Sequence, residues 1–86
     1  MTKINVVNKW KVPNQFEIMT KEGLYFQSYN SIIAFKDYNG DKIILDENYW
    51  DYSKTTGKYR NKFLNEDKKE TQKKIKQGIY KLANLN

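Results

Sequence analysis

The chain has 86 residues, 16 Lys plus Arg against 10 Asp plus Glu, and a formal net charge of +6. It has no Cys and no His, which excludes disulfides, thiolate and imidazole metal ligands, and every Ser-His-Asp or Cys-His arrangement. The length allows one domain with a thin core, no apolar run approaches the ~20 residues of a membrane span, and residues 1–5 carry no signal-peptide hydrophobic region. The expectation is a soluble, cytoplasmic, basic single domain over residues 1–86.

Residues 1–48 read as β-rich. Ile4, Val6 and Val7 form a short β-branched stretch ending at Asn8. Trp10 and Val12 alternate up to Pro13-Asn14, a turn signal. Phe16 and Ile18 predict a strand running into a hairpin turn at residues 20–23. Its partner is residues 24–29, with Tyr25, Gln27 and Tyr29 on one face and Leu24, Phe26 and Ser28 on the other. Residues 31–35 are too short an apolar run to separate strand from helical turn. Asn39-Gly40 is the clearest hairpin signal, and residues 42–46 form the next strand.

Beyond Tyr49 the periodicity turns helical. Tyr59 and Phe63, four apart, share one helix face, and Ser53, Thr55 or Thr56 can cap that helix. Asn65 or Asp67 can cap a second helix over roughly residues 68–77, with Glu70 at the capping-box spacing from Asp67 and Gly78 at the C′ position. Ile79, Tyr80, Lys81 and Leu82 read as a last strand rejoining the sheet. The expected fold is α+β: a small antiparallel sheet of four to five strands, two short helices in a helix-turn-helix-like arrangement over residues 49–78, and a short C-terminal strand and tail over 79–86.

The charge is not evenly spread. Residues 1–53 hold 6 basic and 7 acidic groups, whereas residues 54–86 hold 10 and 3, a net of +7. Such asymmetry points to a localised anionic partner, the alternative being a solvated lysine-rich helix. With Thr71 and Ile75 on the core side of the second helix, a turn of 100° per residue places Lys69, Lys73 and Lys76 together on the opposite side. Lysines bind phosphate as point charges and give salt-dependent affinity without sequence readout. Arg60 is the only Arg, so bidentate reading of guanine has little to work with, although Asn61 and Gln72 could reach base edges. Lys58, Arg60 and Lys62 on the first helix extend the candidate anion-binding set.

Thirteen aromatics in 86 residues supply most of the core, with Trp10, Phe16, Phe26, Trp50, Tyr59 and Phe63 assigned there. Seven tyrosines are too many to bury with partners, so some reach the surface. Tyr49, Tyr52 and Tyr80 are candidates for base stacking or for a protein interface. Catalysis is not expected. Asp46, Glu47 and Asp51 match no metal loop and read as a polar turn, and the four isolated glycines form no phosphate loop. No catalytic residue, cofactor, metal or membrane partner is expected, and the oligomeric state is open.

The run Tyr49-Trp50-Asp51-Tyr52-Ser53-Lys54-Thr55-Thr56-Gly57-Lys58-Tyr59-Arg60-Asn61-Lys62-Phe63-Leu64, its lysine-rich continuation through Leu82, and Tyr25-Phe26-Gln27-Ser28-Tyr29 with Ser31-Ile32-Ile33-Ala34 upstream form a pattern. Over residues 24–86 it resembles a family of small uncharacterised proteins encoded by bacteriophages and prophages. The resemblance implies a viral protein in a bacterial cytoplasm, of a kind that acts by binding, including blocking host defence nucleases. It transfers no activity and no site residues. The functional expectation is a non-enzymatic binder of nucleic acid or of a nucleoprotein. The alternatives are a protein–protein inhibitor of a host factor and a pocket for a small anionic ligand such as a nucleotide.

Overall fold

The computed structural model describes residues 5–86. Ile4 of the first expected strand lies outside them. Six strands form one sheet in the order of the chain: β1 (Asn5–Val7), β2 (Gln15–Met19), β3 (Gly23–Ser28), β4 (Ser31–Asp37), β5 (Ile43–Asp46) and β6 (Lys81–Ala83). Neighbours β1 to β5 run antiparallel, and β6 lies parallel to β5. The parallel pairing requires a crossover, and two helices supply it: α1 (Lys54–Leu64) and α2 (Lys68–Lys76). The architecture is α+β, with β6 completing the edge after the helices.

Local chemistry accounts for the turns. Gly23 starts β3 where its backbone lies against β4, and a Cβ there would meet the Lys36 carbonyl oxygen at 2.5 Å. Gly40 takes φ 76° in the β4–β5 turn, where the Asp37 carboxylate accepts the N–H groups of Asp41 and Lys42. Residues 31–37 are a strand, and the register shift opposite Phe26 and Gln27 leaves Ile33 as the extra residue of a bulge. Two expectations need correction. Tyr29 does not continue β3, because it adopts φ 56° in the turn. Trp10 and Val12 do not lie on a strand. Both pack against one core, in a looped segment where Lys11 and Asn14 also have positive φ.

The helices cover one face of the sheet. Phe26 stacks on Phe63 at 5.8 Å, and the Ser28 and Thr56 hydroxyls meet at 2.8 Å. Phe26, Ile33, Ala34, Leu45, Tyr59, Phe63, Leu64 and Tyr80 are the buried centre. Lys36 reaches from β4 to donate to the Phe63 carbonyl at 2.7 Å, with its Nζ over the Phe63 ring. It thereby fixes the last turn of α1, where the helix carries negative partial charge. Burial lowers the Lys36 pKa, with Glu17 opposing.

Asp46 is the polar anchor of the layer. The acidic group at Asp46, Glu47 and Asp51 was expected to be a polar turn, yet Asp46 is fully buried. Burial alone would raise its carboxyl, but N–H groups of Leu85, Asn48, the Asn86 side chain and Tyr49 outweigh that and hold it below the ordinary range.

Candidate nucleic-acid interface

Ser53 caps α1 by accepting from Thr56 N–H, and Asp67 caps α2 by accepting from Glu70 N–H. Asn65 closes α1 in the left-handed conformation. Gly78 closes α2, with Gly78 N–H to Ile75 and Ile79 N–H to Lys74 completing a Schellman pattern. These caps fix the rotation of each helix and hence the direction of its lysines.

In α2, Thr71 is fully buried and donates to Glu66 at 2.6 Å, while Ile75 packs against the core. Lys69, Gln72, Lys73 and Lys76 are therefore left on the exposed face, at successive helical spacings. The flanking lysines are paired: Lys68 with Asp51 at 2.7 Å and Lys74 with Glu66 at 2.8 Å. Among the described residues, Lys69, Lys73 and Lys76 have no carboxylate within ion-pair distance. All three line one open groove of about 730 Å³, together with Trp50 and Ile75. Asp67 and Glu70 add two carboxylates to its wall.

In α1, Lys54, Lys58 and Lys62 are exposed at four-residue intervals. Lys58 lines a neighbouring concavity of about 560 Å³ with Lys54, Lys68 and Asp51. Lys62 lines neither hollow; its Nζ, like that of Lys58, lies beside the Tyr59 ring, at 5.7 and 5.5 Å. The structure thus gathers Lys69, Lys73 and Lys76 in one groove, with Lys58 in the adjoining hollow beyond the Asp51–Lys68 pair.

Arg60 is not a surface cation. It is 1% exposed, and its guanidinium donates to the Trp50 carbonyl at 2.9 Å, Asp51 at 3.2 Å and the Asn61 side chain at 2.9 Å. It also lies over the Trp50 ring at 5.2 Å. Its charge, between Lys58 and Lys62, made it read as a surface cation. Its planar fork instead ties α1 to the loop before it. Asn61 is engaged with Arg60, so of the two side chains considered for base edges only Gln72 faces the groove. Asp51 sits between Arg60 and Lys68. Burial raises its carboxyl, but hydrogen bonds from Lys68 and Arg60 more than reverse that, and its pKa is lowered.

Tyr80 is likewise not a stacking surface. It is 6% exposed and donates to Glu66 at 2.7 Å, and burial first and Glu66 second push its phenol up to about 12. Glu66 is the hub of this cluster. Burial raises its carboxyl, but bonds from Lys74, Thr71 and Tyr80 hold it below the usual range, and the bond to Glu66 raises Lys74. Tyr49 is half-buried against the core and meets Tyr52 edge-on at 5.7 Å. Of the three tyrosines only Tyr52, at 62% exposure, is open to a partner. Trp50, assigned to the core from the sequence, does pack against it and also lines the lysine groove.

No group of His, Cys, Asp or Glu among the described residues has a metal-holding arrangement, and no described helix is long and apolar enough to cross a membrane. A family model described as a family of unknown function, DUF8033, matches residues 4–79, and the chain belongs to that family. The match takes in the N-terminal strands as well as the lysine-rich helices. No curated protein and no solved structure matches.

Proposed function

We propose that this member of the DUF8033 family is a non-enzymatic nucleic-acid-binding protein that lays phosphates along Lys69, Lys73 and Lys76. One observation carries the reading: these three lysines share a groove and have no carboxylate partner among the described residues, while the lysines on either flank are paired. Unpaired ammonium groups side by side repel, and a phosphate backbone relieves that repulsion while releasing its own counterions. Lys58 extends the track. Trp50 gives the groove an aromatic wall of the kind on which bases stack. The composition favours binding over catalysis, since the chain has neither His nor Cys. The likeness to bacteriophage-encoded proteins fits a viral protein acting in a bacterial cytoplasm.

The test is binding to generic duplex and single-stranded oligonucleotides at rising salt. Affinity should fall linearly with salt on a log–log plot, with a slope of about −2 to −4 for three or four phosphate contacts. No binding at low salt, or binding without a salt slope, contradicts the proposal.

Asp67 and Glu70 favour a second reading, an inhibitor that docks on a host protein. A groove wall of mixed sign suits a protein surface better than a uniform polyanion. A partner recovered from nuclease-treated bacterial lysate supports that reading, and one lost on nuclease treatment supports the first.

A further inference from the structure

The sheet has a second face, turned away from the helices. One cross-strand row on it runs through five strands without a break: Val6 pairs with Ile18, Ile18 with Tyr25, Tyr25 with Phe35 and Phe35 with Ile44. All five are apolar or aromatic, and none belongs to the core beneath the helices. Phe16, Gln27 and Ile32 form the next row, again without a charge. Val6 is 60% exposed, Ile18, Tyr25 and Ile44 are half-buried, and Phe35 at the centre of the row is buried among them. Charge flanks these rows, as Lys81 opposite Ile44, Asp37 opposite Gly23, and Lys42 and the buried Asp46 two residues to either side of Ile44.

We propose that this face is the interface of a homodimer, in which two copies of the chain pack sheet against sheet. Two arguments select a second copy as the occupant. First, the rows carry no cation for a nucleic acid and no charge for a charged protein surface, whose groups would lose water without gaining a partner. The matching surface must be equally uncharged and apolar, and this face is itself such a surface. Second, each copy carries +6, and its excess lies in the helical part. Back-to-back packing keeps both lysine-bearing helical layers outward, with two sheets between them, so like charges are held apart. Packed sheets would lie about 10 Å apart.

The experiment is sedimentation equilibrium of the full chain from low micromolar to about 0.5 mM, in high salt and without nucleic acid, compared with Ile44→Lys and Ile18→Lys. The chain mass is 10.3 kDa, and the expected species has twice that mass. Each lysine variant should weaken dimerisation at least ~100-fold, because it buries an unpaired charge at the interface. A wild-type monomer throughout overturns the proposal, as does a dimer that persists in a variant with the wild-type circular dichroism spectrum. Should the lysine variants fail to fold, single cysteines decide, since the natural chain has none. Tyr25→Cys should give a covalent dimer with a flexible bis-maleimide, while Lys73→Cys, on the helical layer, should not. The reverse result, or no Tyr25→Cys cross-link, overturns it.

Discussion

Asn86 donates its side-chain N–H to the buried carboxylate of Asp46 at 3.0 Å, across 40 positions of sequence. The same carboxylate accepts the backbone N–H of Leu85 at 2.8 Å and of Tyr49 at 2.9 Å. It therefore ties three segments together: the end of β5, the loop before α1 and the stretch after β6. Replacing it by Asp46→Asn puts an amide N–H₂ among N–H donors. The expected loss is about 2–3 kcal/mol of stability, read as a lower urea midpoint. Faster amide hydrogen exchange in β6 should accompany it, because β6 has only one neighbouring strand. Unchanged exchange at Lys81, Leu82 and Ala83 contradicts this account.

The pH dependence follows from the same carboxylate. Asp46, Asp51 and Glu66 all have folded-state pKa values below their ordinary ones. The unfolded chain then binds protons more readily, so their stabilisation is complete above about pH 5 and is lost as pH falls through about 4 and below. Urea midpoints at stepped pH should drop in that window and stay level between about pH 6 and pH 8. In Asp46→Asn the drop should be shallower. A midpoint that holds from pH 6 to about pH 2.5 contradicts the assignment.

Arg60 is expected to matter for folding and not for nucleic-acid contact. Arg60→Ala removes the donor to the Trp50 carbonyl and one partner of Asp51, inside a buried site, and should cost about 3 kcal/mol. Arg60→Lys should recover only part of that, since an ammonium cannot reach Trp50, Asp51 and Asn61 as one planar group. Under conditions where these variants remain folded, oligonucleotide affinity should match wild type. A folded Arg60 variant with lost affinity would restore Arg60 to the contact surface.

The lysine groove gives the opposite pattern. Lys69→Ala, Lys73→Ala and Lys76→Ala together should lower the magnitude of the salt slope by about 2–3. Thermal stability should change little, because exposed substitutions on this helix break no ion pair among the described residues. Lys68→Ala and Lys74→Ala serve as comparison. Each removes a cation already paired in the protein, so each should alter the slope less.

Two glycines separate steric from conformational need. A Cβ at Gly23 would lie 2.5 Å from the Lys36 carbonyl oxygen and 2.8 Å from Asp37 Cα, both backbone atoms. Gly23→Ala should force β3 and β4 apart and cost about 2–3 kcal/mol. At Gly40 nothing lies within 4 Å of such a Cβ, and only the φ of 76° opposes it. Gly40→Ala should cost about 1–2 kcal/mol. Equal costs in chemical denaturation would contradict the distinction.

These residues also mark how far the sequence could be read. Helix rotation was legible: Thr71 and Ile75 on one side placed Lys69, Lys73 and Lys76 on the other, because helical geometry depends only on spacing. Asn39-Gly40 and Gly78 were legible because positive φ selects glycine. What spacing does not encode is which polar groups meet across the fold. Arg60 and Tyr80 resembled exposed residues, yet each is buried by a partner distant in sequence, Trp50 with Asp51 for one and Glu66 for the other. Asp46 was equally opaque, since two of its partners, Leu85 and Asn86, arrive 39 and 40 positions later. Tyr29 and Lys11 show the remaining gap. Single residues at positive φ redirect the backbone without any glycine to announce it.

The order of strands across the sheet is the order of strands along the chain. Each of the first five strands therefore meets its neighbour as soon as the neighbour exists, through a local hairpin that closes quickly. β6 is different, because its partner β5 waits through two whole helices before the parallel pairing can form. On a ribosome the sheet could zip in step with synthesis up to β5, leave the β5 edge unpaired, and gain the short β6 on that edge only after the lysine-bearing helices have been made. A chain whose helices have not yet packed is thus also one with an unguarded strand edge, and the two defects heal in the same event.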